Sequence, residues 1–252
     1  MTTTRFGFFV LVGVLLGSTA VAQEPNMPAT GPASTTSSGE PGGAAFEIGV
    51  RVGYGVPLGT AFSVRDATTG ILQDAKLSDE IKGMIPLSID IGYRFDPNWY
   101  LGGFFQYGIG FIPNNSGCSN GISCSTSDLR FGLTVRYHFL PSQMFDPWFG
   151  IGAGYEILHE SASGTLFGVP FDVSGSVSGF EFGHAQAGVD IALSSMFSIG
   201  PFAEFTIGQY SSSSGSASAG GQQASSSTSI DNKTLHEWLI FGLRAAAKFS
   251  FE

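Results

Sequence analysis

The groups in this chain able to do chemistry are few, and their spacing argues for ion pairing rather than turnover. Histidine occurs at His138, His159, His184 and His236, and none stands in a recognisable Ser/His/acid arrangement that would join a nucleophile to a base. His159-Glu160-Ser161 has residue types suited to hydrolysis, but short polar triplets of this kind arise readily by chance, so no enzymatic activity is expected. His138 and His184 read instead as polar residues of an enclosed interior. The cysteines, Cys118 and Cys124, lie in GCSNGISCS, and two thiolates without a nearby histidine are too few ligands for zinc. In an exported chain they are expected to form a local disulfide, and no metal or cofactor is expected.

The remaining chemistry is charge. Glu47, Asp90, Asp128, Glu156, Asp190 and Glu204 share the polar parity of alternating segments with Arg51, Arg94, Arg130, Arg136, Arg244 and Lys248. Matched numbers of opposite sign suit an enclosed ion-pair network, because a buried charge without a partner is costly. The formal charge of −9 disfavours a nucleic-acid partner.

The elements that would carry these residues are strands. Eight segments alternate with period 2: Phe46 to Val56, Met84 to Phe95, Trp99 to Phe111, Ser127 to Phe139, Trp148 to Leu158, Gly179 to Leu193, Phe197 to Tyr210 and Leu235 to Phe251. Each is near the 9–11 residues, roughly, of a tilted membrane strand. Connections alternate in length. Short ones follow the second, fourth and sixth segments, through DPN at Asp96, LPSQMFDP from Leu140 and SSM from Ser194. Long loops are expected at 57–83, 112–126, 159–178 and 211–234, the last containing SSSSGSASAGGQQASSSTS, which has no hydrophobic content with which to fold by itself. Pro86 and Pro201 lie inside segments and suggest strand ends or bulges. In the sixth segment Phe180 and Phe182 share parity with His184, Gln186 and Asp190, so either both rings point inward or a bulge flips the register.

Alternation alone does not say whether the apolar face meets a core or lipid. Composition does: 42% of residues are hydrophobic and only 12% charged, against about 25–35% charged on a soluble surface. The polar parity is also rich in glycine (Gly49, Gly92, Gly102, Gly152, Gly188), which belongs where strands curve and side chains crowd. The apolar face is therefore expected to face hydrocarbon, with Tyr54, Tyr93, Trp99, Tyr137, Trp148 and Tyr155 in interfacial girdles. The fold class is all-β, an eight-stranded antiparallel up-and-down transmembrane β-barrel over residues 46–252.

Residues 1–22 read as a secretory signal peptide ending in Ala20-Val21-Ala22, and 23–45 as a flexible periplasmic leader rich in Pro, Ser and Gly. With GVDIALSSMFSIGPFAEF and the terminal alternation LRAAAKFSF, the chain resembles the OmpA-like and OmpX-like eight-stranded outer-membrane barrel family. The resemblance covers roughly Phe46 to Phe251. It implies a Gram-negative outer-membrane location, periplasmic termini and lipid as surroundings. It also implies that Phe249 and Phe251 resemble the signal read by the barrel-assembly machinery, here with Glu252 following. No peptidoglycan-binding domain follows the barrel, so no cell-wall tether is implied.

An interior of eight strands is just wide enough for its side chains. The leading expectation is a structural or surface-interaction protein whose long loops meet extracellular or envelope ligands. One alternative is a narrow channel or carrier for small or amphipathic solutes, with glycines leaving a wet lumen gated by the charge network. The other is a secreted soluble ligand-binding barrel with its apolar face inward.

Overall fold

The computed structural model describes residues 44–65, 72–112, 118 and 121–250. The signal peptide, nearly all of the leader, and Phe251 lie outside the described residues. Alternating apolar and polar residues form ten strands: β1 Ala45–Arg65, β2 Leu72–Lys76, β3 Gly83–Arg94, β4 Trp99–Phe111, β5 Ser123–His138, β6 Phe145–Leu166, β7 Val169–Ala192, β8 Phe197–Ala219, β9 Gln222–Ser229 and β10 His236–Ser250. A one-turn helix, α1, spans Leu77–Glu80.

Eight of these strands close a ring in the order β1, β3, β4, β5, β6, β7, β8, β10, with β10 pairing back onto β1 from Ala45↔Ser250 to Gly59↔His236. Every pairing is antiparallel, and closure leaves no free edge in the wall, which hydrocarbon would not tolerate. At one end, the turn end, connections are short and held by local bonds. Asp96 Oδ1 accepts from Asn98 N (2.7 Å) and Trp99 N (2.9 Å), and Ser194 Oγ accepts from Phe197 N (3.0 Å). The turn between β5 and β6, from Leu140, is shorter than expected, because β6 begins at Phe145 and takes Asp146 into the wall.

The opposite, extended end corrects the sequence reading. Residues 159–178 and 211–234 are not irregular loops: β6, β7 and β8 run on past the barrel, and β9 folds back on β8 from Ser212↔Ser229 to Ala219↔Gln222. Two tight turns make this geometry. Phe167 and Gly168 (φ 52° and 80°) join β6 to β7, and Gly220 and Gly221 (φ 55° and 83°) join β8 to β9. Two-residue turns with both φ positive match the twist of paired strands. The serine-rich stretch needs no core of its own, because β7 supplies a hydrogen-bonding template along Ser178↔Ser212 to Phe171↔Ala219.

The described parts of 57–83, residues 57–65 and 72–83, are ordered as well. The upper part of β1 pairs with β2, and the chain then enters the barrel mouth through α1. Leu77, Ile81 and Met84 are buried there against Ala61, Leu158, Tyr210, Trp238 and Ile240. This apolar cap closes the extended end.

Pro86 and Pro201 lie mid-strand rather than at strand ends, and no register shift occurs at either. The β1–β3 ladder simply skips from Val52↔Leu87 to Gly55↔Met84, and the β7–β8 ladder from Gly188↔Phe202 to Ile191↔Ile199. Cys118 and Cys124 are disulfide-bonded. A closed wall of this kind resists detergent until heated, so unboiled protein is expected to migrate differently from boiled protein on a gel. The shift should survive reduction of the disulfide, which ties the end of β5 to a position only 6 residues away and links no two strands of the ring. Loss of the shift on reduction would contradict this account of the wall.

Candidate functional site

The two faces of the wall differ completely. The outer face is apolar: along β3 to β5, Leu87, Ile89, Ile91, Leu101, Phe105, Phe131 and Leu133 are exposed, the last 67% so. Over Trp99–Phe111 this band is about 28 Å tall for 13 tilted residues, the thickness of a membrane core. Aromatic rings mark both borders. Trp99 and Tyr137 meet edge-on at 4.9 Å near the turn end, and Tyr155 meets Phe180 at 5.5 Å near the other. Tyr54 and Tyr93 are exposed on the same outer face. Trp148 is the exception to the expected girdle. It is buried in the lumen (2% exposed), where its Nε1 donates to Asp190 Oδ1 at 3.1 Å.

The inner face holds charge in two tiers. In the tier nearer the turn end, Glu47 takes ion pairs from Arg94 (2.5 Å), Arg136 (3.2 Å) and Arg244. Asp90 is shared by Arg51 (3.1 Å) and Arg136 (3.0 Å), while Arg51 also pairs Glu204 and Arg244 pairs Asp190 at 2.5 Å. Arg94 donates to His138 Nε2 (3.0 Å), and His138 Nδ1 donates to Asp146 Oδ2 (2.8 Å). Arg136 stacks over Tyr100 at 4.3 Å.

The tier toward the cap is built around one guanidinium. Arg130 lies 2.8 Å from Asp128, 3.5 Å from Glu156 and 3.7 Å from Glu181, and packs over Trp238 at 5.2 Å. Two imidazoles complete it. His184 Nδ1 lies 2.6 Å from Glu181 Oε1, and His236 Nε2 lies 2.9 Å from Glu156 Oε2. Tyr210 and Trp238 donate to Glu156 Oε1 at 2.7 and 3.1 Å.

Eleven of the twelve charged residues singled out in the sequence are thus brought together: Glu47, Arg51, Asp90, Arg94, Asp128, Arg130, Arg136, Glu156, Asp190, Glu204 and Arg244. Lys248 is not. It sits half-buried at the turn-end rim, opposite Glu47 in register, and its ammonium makes no ion pair within 4.0 Å among the described residues. Three arginines already saturate Glu47, and a rim ammonium can reach water.

Asp146, Glu181 and the three buried histidines join the network beyond that expected set. Of the two alternatives for the sixth segment the bulge is the one present: between Glu181 and Gly183 the β7 register shifts, so Phe180 and Phe182 point outward while Glu181, which was not among the expected residues, faces the lumen with His184. A glycine inside FEFGH was the available signal. His159 and Ser161 lie on the outer parity of β6, opposite Glu160, so the triplet forms no constellation.

The inward glycines do not leave a wet path. A Cβ at Gly102 would come within 2.1 Å of the Tyr100 hydroxyl, and one at Gly152 within 2.4 Å of His184 Nε2. The space belongs to large side chains folded across the lumen. Arg136, for one, is 0% exposed, although a channel wall would present its lining to water.

Removing Arg130 would leave Asp128, Glu156 and Glu181 buried with no guanidinium. Arg130→Ala is therefore expected to lose about 3–5 kcal/mol, whereas Lys248→Ala should change stability by less than about 0.5 kcal/mol. Urea unfolding from lipid vesicles measures both; equal effects would contradict the assigned network.

The sequence matches no protein-family model and no curated protein sequence. Solved structures similar to the fold include AlkL in lipid bilayers (17% identity, 89% of this chain and 98% of that one, TM-score 0.44). OprG from Pseudomonas aeruginosa is 13% identical over 83% of this chain and 99% of its own, with TM-score 0.44. A major outer-membrane protein from Thermus thermophilus is 14% identical over 82% and 99%, with TM-score 0.48. The apolar exterior, closed wall and charged, filled interior are sufficient on their own: the chain is an integral eight-stranded β-barrel of the outer-membrane type.

Proposed function

We propose that the protein is a structural and surface-interaction component of the outer membrane, acting through its extended end rather than through its lumen. The observation that carries this reading is the tip of the β6–β7 hairpin. Phe167 is 97% exposed there, flanked by exposed Leu166 and Val169. It also has φ 52°, a conformation that favours glycine or asparagine and is costly for a bulky side chain. An apolar ring held in a strained turn, on a hairpin that rises roughly 20 Å above the lipid band, fits a contact with an extracellular or envelope ligand.

In this reading the extended end faces outward and both termini lie in the periplasm. The terminal alternation through Phe249 and Phe251 would serve the barrel-assembly machinery. The buried network and the apolar cap argue against a channel, and no catalytic role is assigned.

Phe167→Asn relieves the turn and is expected to leave the barrel at least as stable, while weakening attachment of protein-bearing cells or vesicles to host or envelope material. Planar bilayers containing the wild type are expected to show no conductance steps. Ohmic steps altered by Arg136→Ala would overturn this reading in favour of the channel.

A further inference from the structure

Above the lipid band, the outer face of the wall changes from apolar residues to hydroxyls within one row. Leu129 and Ile157 stand opposite each other, and the next three rows across β5, β6, β7, β8 and β9 hold fifteen positions, twelve of them serine. The others are His159, Asp172 and Gln223. The middle row is unbroken: Ser125, Ser161, Ser174, Ser216 and Ser225 lie side by side on five strands. A bulge between Ser178 and Gly179 in the β7–β8 register brings Ser212, Ser214 and Ser216 onto this face. The grid has strands about 4.8 Å apart and rows about 6.7 Å apart.

Neighbouring hydroxyls are bonded to each other, Ser125 to Ser161 at 2.8 Å, Ser174 to Ser216 and Ser176 to Ser214 at 2.9 Å. Each serine has one donor and two acceptor positions, so a bonded pair still offers free valences outward. No row of the grid contains lysine or arginine, so it has nothing with which to hold a phosphate.

We propose that this face binds the neutral saccharide headgroups of glycolipids in the surrounding leaflet. The inference deepens the surface-interaction reading, on which it rests, by naming a partner for the lower part of the extension. Two observations choose the occupant. The serine face is the upward continuation of the lipid-facing surface, so whatever lipid covers Phe131 and Leu133 presents its headgroup at Ser125 and Ser161. The absence of cations selects uncharged sugar hydroxyls over phosphates. Individual hydroxyl contacts are weak, but the ligand is held at the wall by its own tails, so affinity need only bias which lipid stands there.

The test uses the full chain in vesicles of phosphatidylcholine with a minor fraction of either digalactosyl diacylglycerol or phosphatidylglycerol. Lipid retained in limiting detergent is measured by mass spectrometry. The wild type is expected to enrich the galactolipid on the order of fivefold, the equivalent of one net hydrogen bond, and phosphatidylglycerol not at all. The row variant S125A/S161A/S174A/S216A/S225A should lose the enrichment while keeping the gel shift of a closed barrel, and the same row changed to threonine should keep it. Equal enrichment by wild type and the alanine row, no enrichment by wild type, preference for phosphatidylglycerol, or binding of free digalactose without lipid enrichment would each overturn the proposal. If the alanine row does not assemble, the wild-type preference between the two lipids and the threonine row decide. Phe167→Asn should leave galactolipid enrichment unchanged, so failure here is separable from failure at the hairpin tip.

Discussion

Charge held in a lumen that water does not reach persists only if every charged group finds an opposite charge or a hydrogen-bond partner, and this constraint organises the molecule. Among the described residues, eight buried carboxylates (Glu47, Asp90, Asp128, Asp146, Glu156, Glu181, Asp190 and Glu204) meet five arginines and three histidines. Five guanidiniums do not reach all eight carboxylates, so imidazole nitrogens complete the hydrogen bonding, as where His138 donates to Asp146 while accepting from Arg94. The same requirement explains the glycines. Guanidiniums and rings long enough to span the barrel need backbone without side chains beneath them, as at Gly102 under Tyr100 and Gly152 under His184.

In the surface-interaction reading proposed above, the filled interior leaves contact chemistry to the ends. α1 and the residues it packs against cover the network at the mouth, while β6 to β9 rise past it as a continuous sheet. Stability and surface chemistry are therefore separated along one axis. The ion pairs and closed ladder hold the barrel, and the hairpins, which add nothing to the closed ring, present Phe167 and the serine grid.

Most of the barrel was legible in the sequence because its period is simple: apolar and polar residues alternate, and each strand's inner set follows from its parity. What escaped was whatever breaks or escapes that period. Parity showed that the sixth segment breaks, with a bulge as one alternative, but not that Glu181 would be the residue turned inward, and Asp146 was counted in the short connection LPSQMFDP, whereas β6 begins at Phe145. Trp148 looked like a girdle residue by type and position near a strand end, yet its parity is inward. The serine stretch looked unfoldable because hydrophobicity was the criterion, whereas an existing strand edge supplied the ordering. α1 was invisible for the opposite reason: four residues carry no periodicity, and only the apolar mouth selects Leu77 and Ile81 for burial.

The inverted, filled barrel makes opposite claims about the three tryptophans. Trp99 faces outward at 42% exposure, while Trp148 and Trp238 are 2% and 0% exposed inside. Single-tryptophan variants in vesicles, quenched by brominated lipid tails or by aqueous acrylamide, report each directly. The account predicts that bromolipid quenches Trp99 alone and that neither quencher reaches Trp148 or Trp238. Quenching of Trp148 or Trp238 by acrylamide in the folded barrel would mean a wet lumen, and quenching of either by bromolipid would mean that the faces are assigned the wrong way round.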